Sequence, residues 1–379
     1  DAGDYGRYVV PGAKAVQDLL LTYEDSAEAA KDDTIGIPES GNGVPDILDE
    51  ARYELDWMLK MQDENSGGVY HKVTGEVFPE TVLAVDETAQ MILSPISTAA
   101  TGDFAAVMAK ASVIYRDIDK DFADTCLAAA QKAWKYLEEH EEDPGFTNVG
   151  DIVTGSYSDG RMTDEYLWAA AELYIATGDE SYNDYVKKAV KTSVKYGLGW
   201  ADVGYYAIYD YCMNVKDCEA EKAILKEGAD DLVKNYGKCG FGSATGGEYV
   251  WGSNMAVAND GMLMLMASKV FGDDSYVDYA ADQLNYLLGR NPVSYCYVTG
   301  YGSQTPENPH HRPSEVLGKA MPGMLIGGAN GNLQDPYAKA VLADMAPEKC
   351  YVDNAQSYSC NEVTIYWNSP LVYLLAAMK

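Results

Sequence analysis

Residues 44–62 read VPDILDEARYELDWMLKMQ, and their pattern decides the fold class. Ile47, Leu48, Ala51, Leu55, Met58 and Leu59 recur at the spacing of one helix face, and Pro45 suits a first helical turn. The same period returns along the chain. It predicts helices over AKAVQDLLLTYE (13–24) and over 99–115, 121–139, 163–177, 181–196, 218–236, 253–271, 275–288 and 336–345. A last helix is expected over 370–378, with Ser369 as N-cap and Pro370 in the first turn. Strand-like alternation is brief, at 68–73 and 295–301. So many helices with no strand–helix–strand rhythm predict an all-α architecture, and helix pairs closing into a ring would explain their number. No short repeat of the ankyrin or tetratricopeptide kind is present.

The chain has 379 residues and 47% apolar content, enough for a sizeable core. Its 59 acids against 28 bases give a formal charge of −31. That surface repels phosphate backbones and anionic lipid, so neither a nucleic-acid nor a membrane partner is expected. A neutral polysaccharide is compatible with it. No apolar run reaches a membrane span of about 18 residues. Seven cysteines form no CxxC pair; Cys212 and Cys218 could close a small loop, and the odd total leaves one thiol over. Tyr outnumbers Phe by 30 to six, which points to a wet cleft lined by hydroxyl-bearing rings. The irregular segments 64–90, 143–161, 237–252 and 291–335 are long enough to carry function.

Three stretches could do chemistry. In YVDNAQSYSCNEVTIYWNS (351–369), Asp353 and Glu362 stand among Tyr351, Tyr358, Tyr366 and Trp367. Aromatic surroundings keep a carboxyl protonated, as a general acid requires, and ring faces hold a pyranose. Glu362 is otherwise a first-turn acid; Asp353 is a supporting partner or a loop cap. In DAGDYG (1–6), glycines allow a turn that brings Asp1 and Asp4 to one side, where two acids could hold one water as a general base. Helix N-terminal acids are the alternative there. In QTPENPHHRPS (304–314), Arg312 offers a fork of donors beside His310 and His311. Adjacent histidines seldom both bind metal.

Together these segments resemble glycoside hydrolase family 9, the inverting cellulases and their relatives. DAGDYG is similar to the family's DAGD segment, which implies Asp4 as the water-activating base and Asp1 as its helper. YGSQTPENPHHR resembles the histidine signature and implies sugar contacts for His310 and Arg312, with Gln304 departing from the usual residue. The 351–369 stretch fits the aspartate–glutamate signature, implying Glu362 as general acid with Asp353 supporting and Tyr358 nearby. WGSNMAVAND (251–260) looks like the loop bearing a sugar-stacking Trp, here Trp251. His71 falls where members place a cleft histidine, and Trp367 where a Tyr often lines the site.

The resemblance implies an (α/α)6 toroid of paired helices with long cleft-forming loops, read here as one catalytic domain over 1–379. It implies further sequence upstream of Asp1, a helix and in many members an immunoglobulin-like β domain. No cofactor is needed for the chemistry, and the zinc-binding Cys/His cluster of some relatives has no counterpart. Asp159, Asp164, Glu165 and Asp202 resemble a calcium site of parts of the family and offer hard oxygens, although Thr163–Glu165 is equally a good helix start. The expected activity is that of a secreted endo-β-1,4-glucanase acting on β-glucan and cello-oligosaccharides. A processive or cellobiose-releasing enzyme, a mixed-linkage glucan or xyloglucan hydrolase, and a carbohydrate-binding scaffold are the alternatives.

Overall fold

Two kinds of helix build the molecule, and composition sets which is which. Thr98–Ile114 (TAATGDFAAVMAKASVI) and Ser253–Phe271 are apolar or small on every face and are buried nearly all round. Lys120–Glu139, Asp46–Leu59 and Ser275–Leu287 keep one apolar stripe and turn charged residues to water. The computed structural model describes residues 3–141, 145–192 and 194–379. It divides into two compact units.

One unit comprises Arg7–Glu76 and Met91–Leu225. Its centre is the Thr98–Ile114 helix, which packs on Lys120–Glu139, Thr163–Thr177 and Val9–Asp25. Gly102 lets Thr163–Thr177 approach closely, since a Cβ there would lie 2.8 Å from the Glu165 Cβ. Short antiparallel strands flank this core. Lys72–Thr74 pairs with both Arg7–Tyr8 and Ile92–Leu93, and Val69–Tyr70 pairs with Ile96–Ser97. His71 lies between the two strand segments, its N–H donating to Pro95 O and its C=O accepting from Val9 N–H.

Lys14 and Lys110 are buried in this unit, and they are paired with acids. Lys110 Nζ is 2.9 Å from Asp210 Oδ1 and also bonds Glu24, while Gln17 Nε2 donates to Asp210 Oδ2. Beside it, Lys14 Nζ meets Asp18 Oδ2 at 2.5 Å, and the Tyr206 hydroxyl donates to Asp18 Oδ1. The acids hold the Lys110 pKa above its ordinary value against the opposing effect of burial.

The other unit comprises Val77–Gln90 and Lys226–Met378 with the chain up to Gly6. Ser253–Phe271 packs on Ser275–Leu287 and on Ile365–Ala377. Long segments between these helices carry the site described below.

The helices over 163–177 and 253–271 stand as expected, four others agree within one residue, and those at 13–24, 44–62 and 336–345 differ by three or four residues at one end. Four further differences stand out, three of them with a local cause. The last helix is Ile365–Ala377, not 370–378: Thr364 Oγ1 accepts from Trp367 N–H as its N-cap, so Ser369 does not cap and Pro370 sits inside the helix. The helix predicted over 181–196 is Glu180–Ala189; beyond it Thr192 Oγ1 donates to the Ala189 carbonyl and competes with the helix ladder. Gly204–Asn214 is a further helix, one whose N-cap Val203 offers no capping side chain and so leaves no start signal. The alternation at 295–301 yields only an isolated bridge between Val298 and Leu325.

Asp210→Ala leaves Lys110 buried with one acid fewer. It is expected to destabilise the fold by about 3–5 kcal/mol, read from the denaturant midpoint.

Candidate active site

Glu362 is held by its backbone on three sides. Its N–H donates to Tyr358 O, closing the short Tyr358–Asn361 helix, and its C=O accepts from Gly327 N–H at 3.0 Å. The neighbouring Asn361 C=O accepts from His310 N–H at 2.9 Å, so 310 and 362 pair as a parallel bridge. Asp335 fixes the turn before Glu362. Fully buried, it caps Pro336–Leu342 through Oδ1 and accepts from the Ser357 hydroxyl and from the Ser359 hydroxyl and N–H through Oδ2. Sequence reading missed Asp335; the Asp–Pro pair opening a helix was its only signal.

Trp251 Nε1–H donates to Glu362 Oε2 at 2.6 Å. Burial pushes the Glu362 carboxyl up to about 8, the Trp251 hydrogen bond opposes this, and the Asp4 charge adds to it. Asp4 therefore acts electrostatically on Glu362, yet neither is hydrogen-bonded to the other. Asp4 is itself buried, with Oδ1 accepting from Gly6 N–H at 3.0 Å. The preceding Gly3 has φ +67°, and a Cβ there would collide with the His311 ring, so glycine is required twice over. Asp1, expected beside Asp4, lies outside the described residues.

His310 is half-buried. Its Nδ1–H donates to Ala355 O at 2.8 Å, which leaves Nε2 as an acceptor, and burial lowers its pKa. His311 caps the Arg312–Leu317 helix through Nδ1 and Ser314. Arg312, buried at the start of that helix, donates from Nε to Pro79 O at 3.1 Å. Its positive charge lowers the pKa of His310 and that of Glu362, although other causes dominate both groups. Tyr358 completes the group: its ring lies 5.5 Å from that of Trp251 and 5.9 Å from that of His310. Asp4, Trp251, His310, Arg312, Tyr358 and Glu362 thus share one unit and one electrostatic neighbourhood.

Two residues expected in the cleft, Trp367 and His71, are placed otherwise, and Asp353 takes the loop-bracing role. Both oxygens of Asp353 accept backbone N–H groups, from Glu307 and Asn308 at 2.8 Å each, so this acid braces the turn leading to His310. Trp367 is 3% exposed, its ring wedged against Gly252 and Gly327 behind the site, with no face left for a sugar. His71, in the other unit, is fully buried; Nε2–H donates to Ser156 O, Nδ1 pairs with the Ser97 hydroxyl, and the ring stacks on Phe146 at 3.7 Å. Burial lowers its pKa to about 4, so it stays neutral and structural.

Of the acids expected to bind calcium, Asp159, Asp164 and Glu165 gather around a fourth, Asp103, on the Thr98–Ile114 helix. Both oxygens of Asp103 and of Glu165, with Asp164 Oδ1 and Asp159 Oδ2, are buried without a hydrogen-bond partner among the described residues. Burial first, and then their mutual repulsion, raises Asp103 and Glu165 well above the usual carboxylate range. Orphaned hard oxygens suit a divalent cation in kind, but no three of these acids bring ligand atoms within 4.8 Å of one another. Asp202 raises Asp159 and Asp164 but places Oδ1 2.8 Å from Lys195 Nζ. A separate group, Asp33, Asp46 and Asp49, brings one oxygen each within 4.8 Å of the others, and Asp46 Oδ1 is buried without a hydrogen-bond partner. Sequence reading passed over it because Asp33 lies on a loop ahead of the helix that carries the other two.

The family model for glycosyl hydrolase family 9 matches residues 1–375. The chain belongs to this family. Family 9 relatives align over nearly all of it. Endoglucanase C of Cellulomonas fimi is 37% identical over 99% of this chain, which spans 36% of that protein. A xyloglucan-specific endo-β-1,4-glucanase of Bacteroides ovatus is 35% identical over 100% of this chain, which spans 68% of it. A thermostable endoglucanase from Alicyclobacillus acidocaldarius, solved as a single mutant, superposes with a TM-score of 0.93. It is 39% identical, and the match covers 99% of this chain and 73% of that one. The fold class is accordingly the all-α, (α/α)6 type of family 9.

Trp251→Phe removes the N–H that favours ionised Glu362. The Glu362 titration, followed by carboxyl carbon NMR, is expected to move above its position near pH 8.

Proposed function

We propose that this chain is the catalytic domain of an inverting endo-β-1,4-glucanase. The observation that carries the reading is the Glu362 carboxyl, hydrogen-bonded by Trp251 Nε1–H at 2.6 Å and pushed up to about 8 by burial and by the Asp4 charge. Asp4 takes a proton from water as the water attacks the anomeric carbon from one side of the ring. Glu362 gives its proton to the departing glycosidic oxygen on the other side. Two ionised acids would leave no proton for the leaving group, and two protonated ones no base. Burial, with the Asp4 charge, keeps the proton on Glu362.

Around this pair, Trp251 holds the acid in place through its N–H while its ring remains available to a pyranose. His310 Nε2, the Arg312 guanidinium and the Tyr358 hydroxyl face sugar hydroxyls. Asp1 assists Asp4 in holding the water. A β-glucan, as polymer or cello-oligosaccharide, is neutral and suits a chain of charge −31. Secretion suits a substrate that is an extended polysaccharide. Among the described residues no helix is long and apolar enough to cross a membrane. A second reading, action on xyloglucan, is supported by similarity to the Bacteroides ovatus enzyme.

Calcium is proposed as a structural ion held by Asp103, Asp159, Asp164 and Glu165. It would neutralise carboxylates that otherwise raise one another's pKa, with no part in the chemistry.

Glu362→Gln and Asp4→Asn are each expected to lower turnover on carboxymethylcellulose by about 100-fold or more while the fold survives. Proton NMR of the first product should show the α-anomer. A near-normal rate for either variant, or a β-anomer product, would defeat the assignment. Digests of xyloglucan and cello-oligosaccharides compared side by side decide between the two substrates. Dialysis against EGTA is expected to lower the melting temperature, with recovery on adding calcium; an unchanged melt removes calcium from the account.

A further inference from the structure

Tyr5 adopts φ +64°, a left-handed conformation that a bulky residue rarely takes. With Gly3 at +67°, it brackets Asp4 between two left-handed residues. This local path folds the Gly6 N–H back onto Asp4 Oδ1. For Gly3 the conformation is free. For Tyr5 it is unfavourable and needs something to hold it.

The Tyr5 side chain supplies the hold. Its hydroxyl donates to Val82 O at 2.7 Å, a contact across 77 residues of sequence. The same segment, 77–90, accepts from Arg312 Nε through Pro79 O. Two carbonyls three residues apart therefore secure the residue after Asp4 and the arginine of the same site. The segment has little of its own to fix it. Its only regular element is the turn Ala84–Asp86, and Val77, Phe78 and Val85 are exposed. Burial raises the Tyr5 pKa, so its hydroxyl stays a donor across the working range.

We propose that Tyr5 is a positioning residue for the water-activating carboxylate, and that segment 77–90 is its brace. This rests on the hydrolase reading above. Without the hydroxyl, Tyr5 relaxes towards negative φ, Gly6 N–H swings off Asp4 Oδ1, and the carboxylate loses its aim at the water. Substrate binding depends on other residues and is retained. The segment, released at one of its two anchors, opens more often.

The test is Tyr5→Phe, which keeps the ring and removes one oxygen. On a soluble cello-oligosaccharide, kcat is expected to fall about tenfold, since small misplacements of reacting groups carry such factors. KM should stay within about twofold and the melting temperature should hold, because ring packing is preserved. Hydrogen–deuterium exchange across 77–90 should quicken. Unchanged kcat overturns the positioning role, and a parallel loss of kcat, KM and melting temperature reduces Tyr5 to a structural residue. Unchanged exchange overturns the brace. A wild-type chain that cleaves no β-glucan sinks the hydrolase reading instead; the exchange result still decides whether Tyr5 holds the segment.

Discussion

In the mechanism proposed above, the site depends on keeping a proton on Glu362. A carboxyl in water loses it near pH 4, and a family 9 acid that did so would have nothing to give the leaving oxygen. Burial reverses this, and the Asp4 charge pushes further in the same direction. Trp251 then meets the remaining need. A buried carboxyl without a partner would be costly, and one indole N–H satisfies an oxygen without ionising the group.

Much of the surrounding structure exists to hold that arrangement still. Asp335 pins the Ser357–Ser359 turn, Gly327 and His310 pair with the backbone around Glu362, and Trp367 fills the space behind Gly252 and Gly327. Asp353 does the same for the approach to His310. These residues crowd the signature stretch without any need to touch substrate. Their presence explains why so long a segment is chemically demanding although it carries one proton donor.

The two buried acid-rich regions of the other unit follow opposite logics. Around Lys110, acids face a cation: Asp210 and Glu24 bond the lysine and Gln17 covers a remaining Asp210 oxygen, although Glu172 Oε2 beside them has no hydrogen-bond partner among the described residues. Around Asp103 and Glu165, acids face acids and their oxygens lack partners among the described residues. The first is an ion network centred on a lysine. The second stores repulsion, which only protonation or a cation relieves.

Periodicity alone determined the all-α architecture, because one apolar stripe per helix is a local property of the chain. The signature segments likewise named Asp4, Trp251, His310, Arg312, Tyr358 and Glu362, which the folded chain brings into one unit. Helix starts such as Thr364 instead of Ser369 were less legible, because both residues can cap and only packing chooses. Whether an aromatic or histidine meets substrate was not legible at all. His71 and Trp367 look like cleft residues in sequence, yet one stacks on Phe146 and the other is wedged against two glycines. Asp103 and Asp335 have no local signature. Their roles arise from partners distant in sequence, and long-range contact, hence burial and pKa, is decided only when the chain has folded.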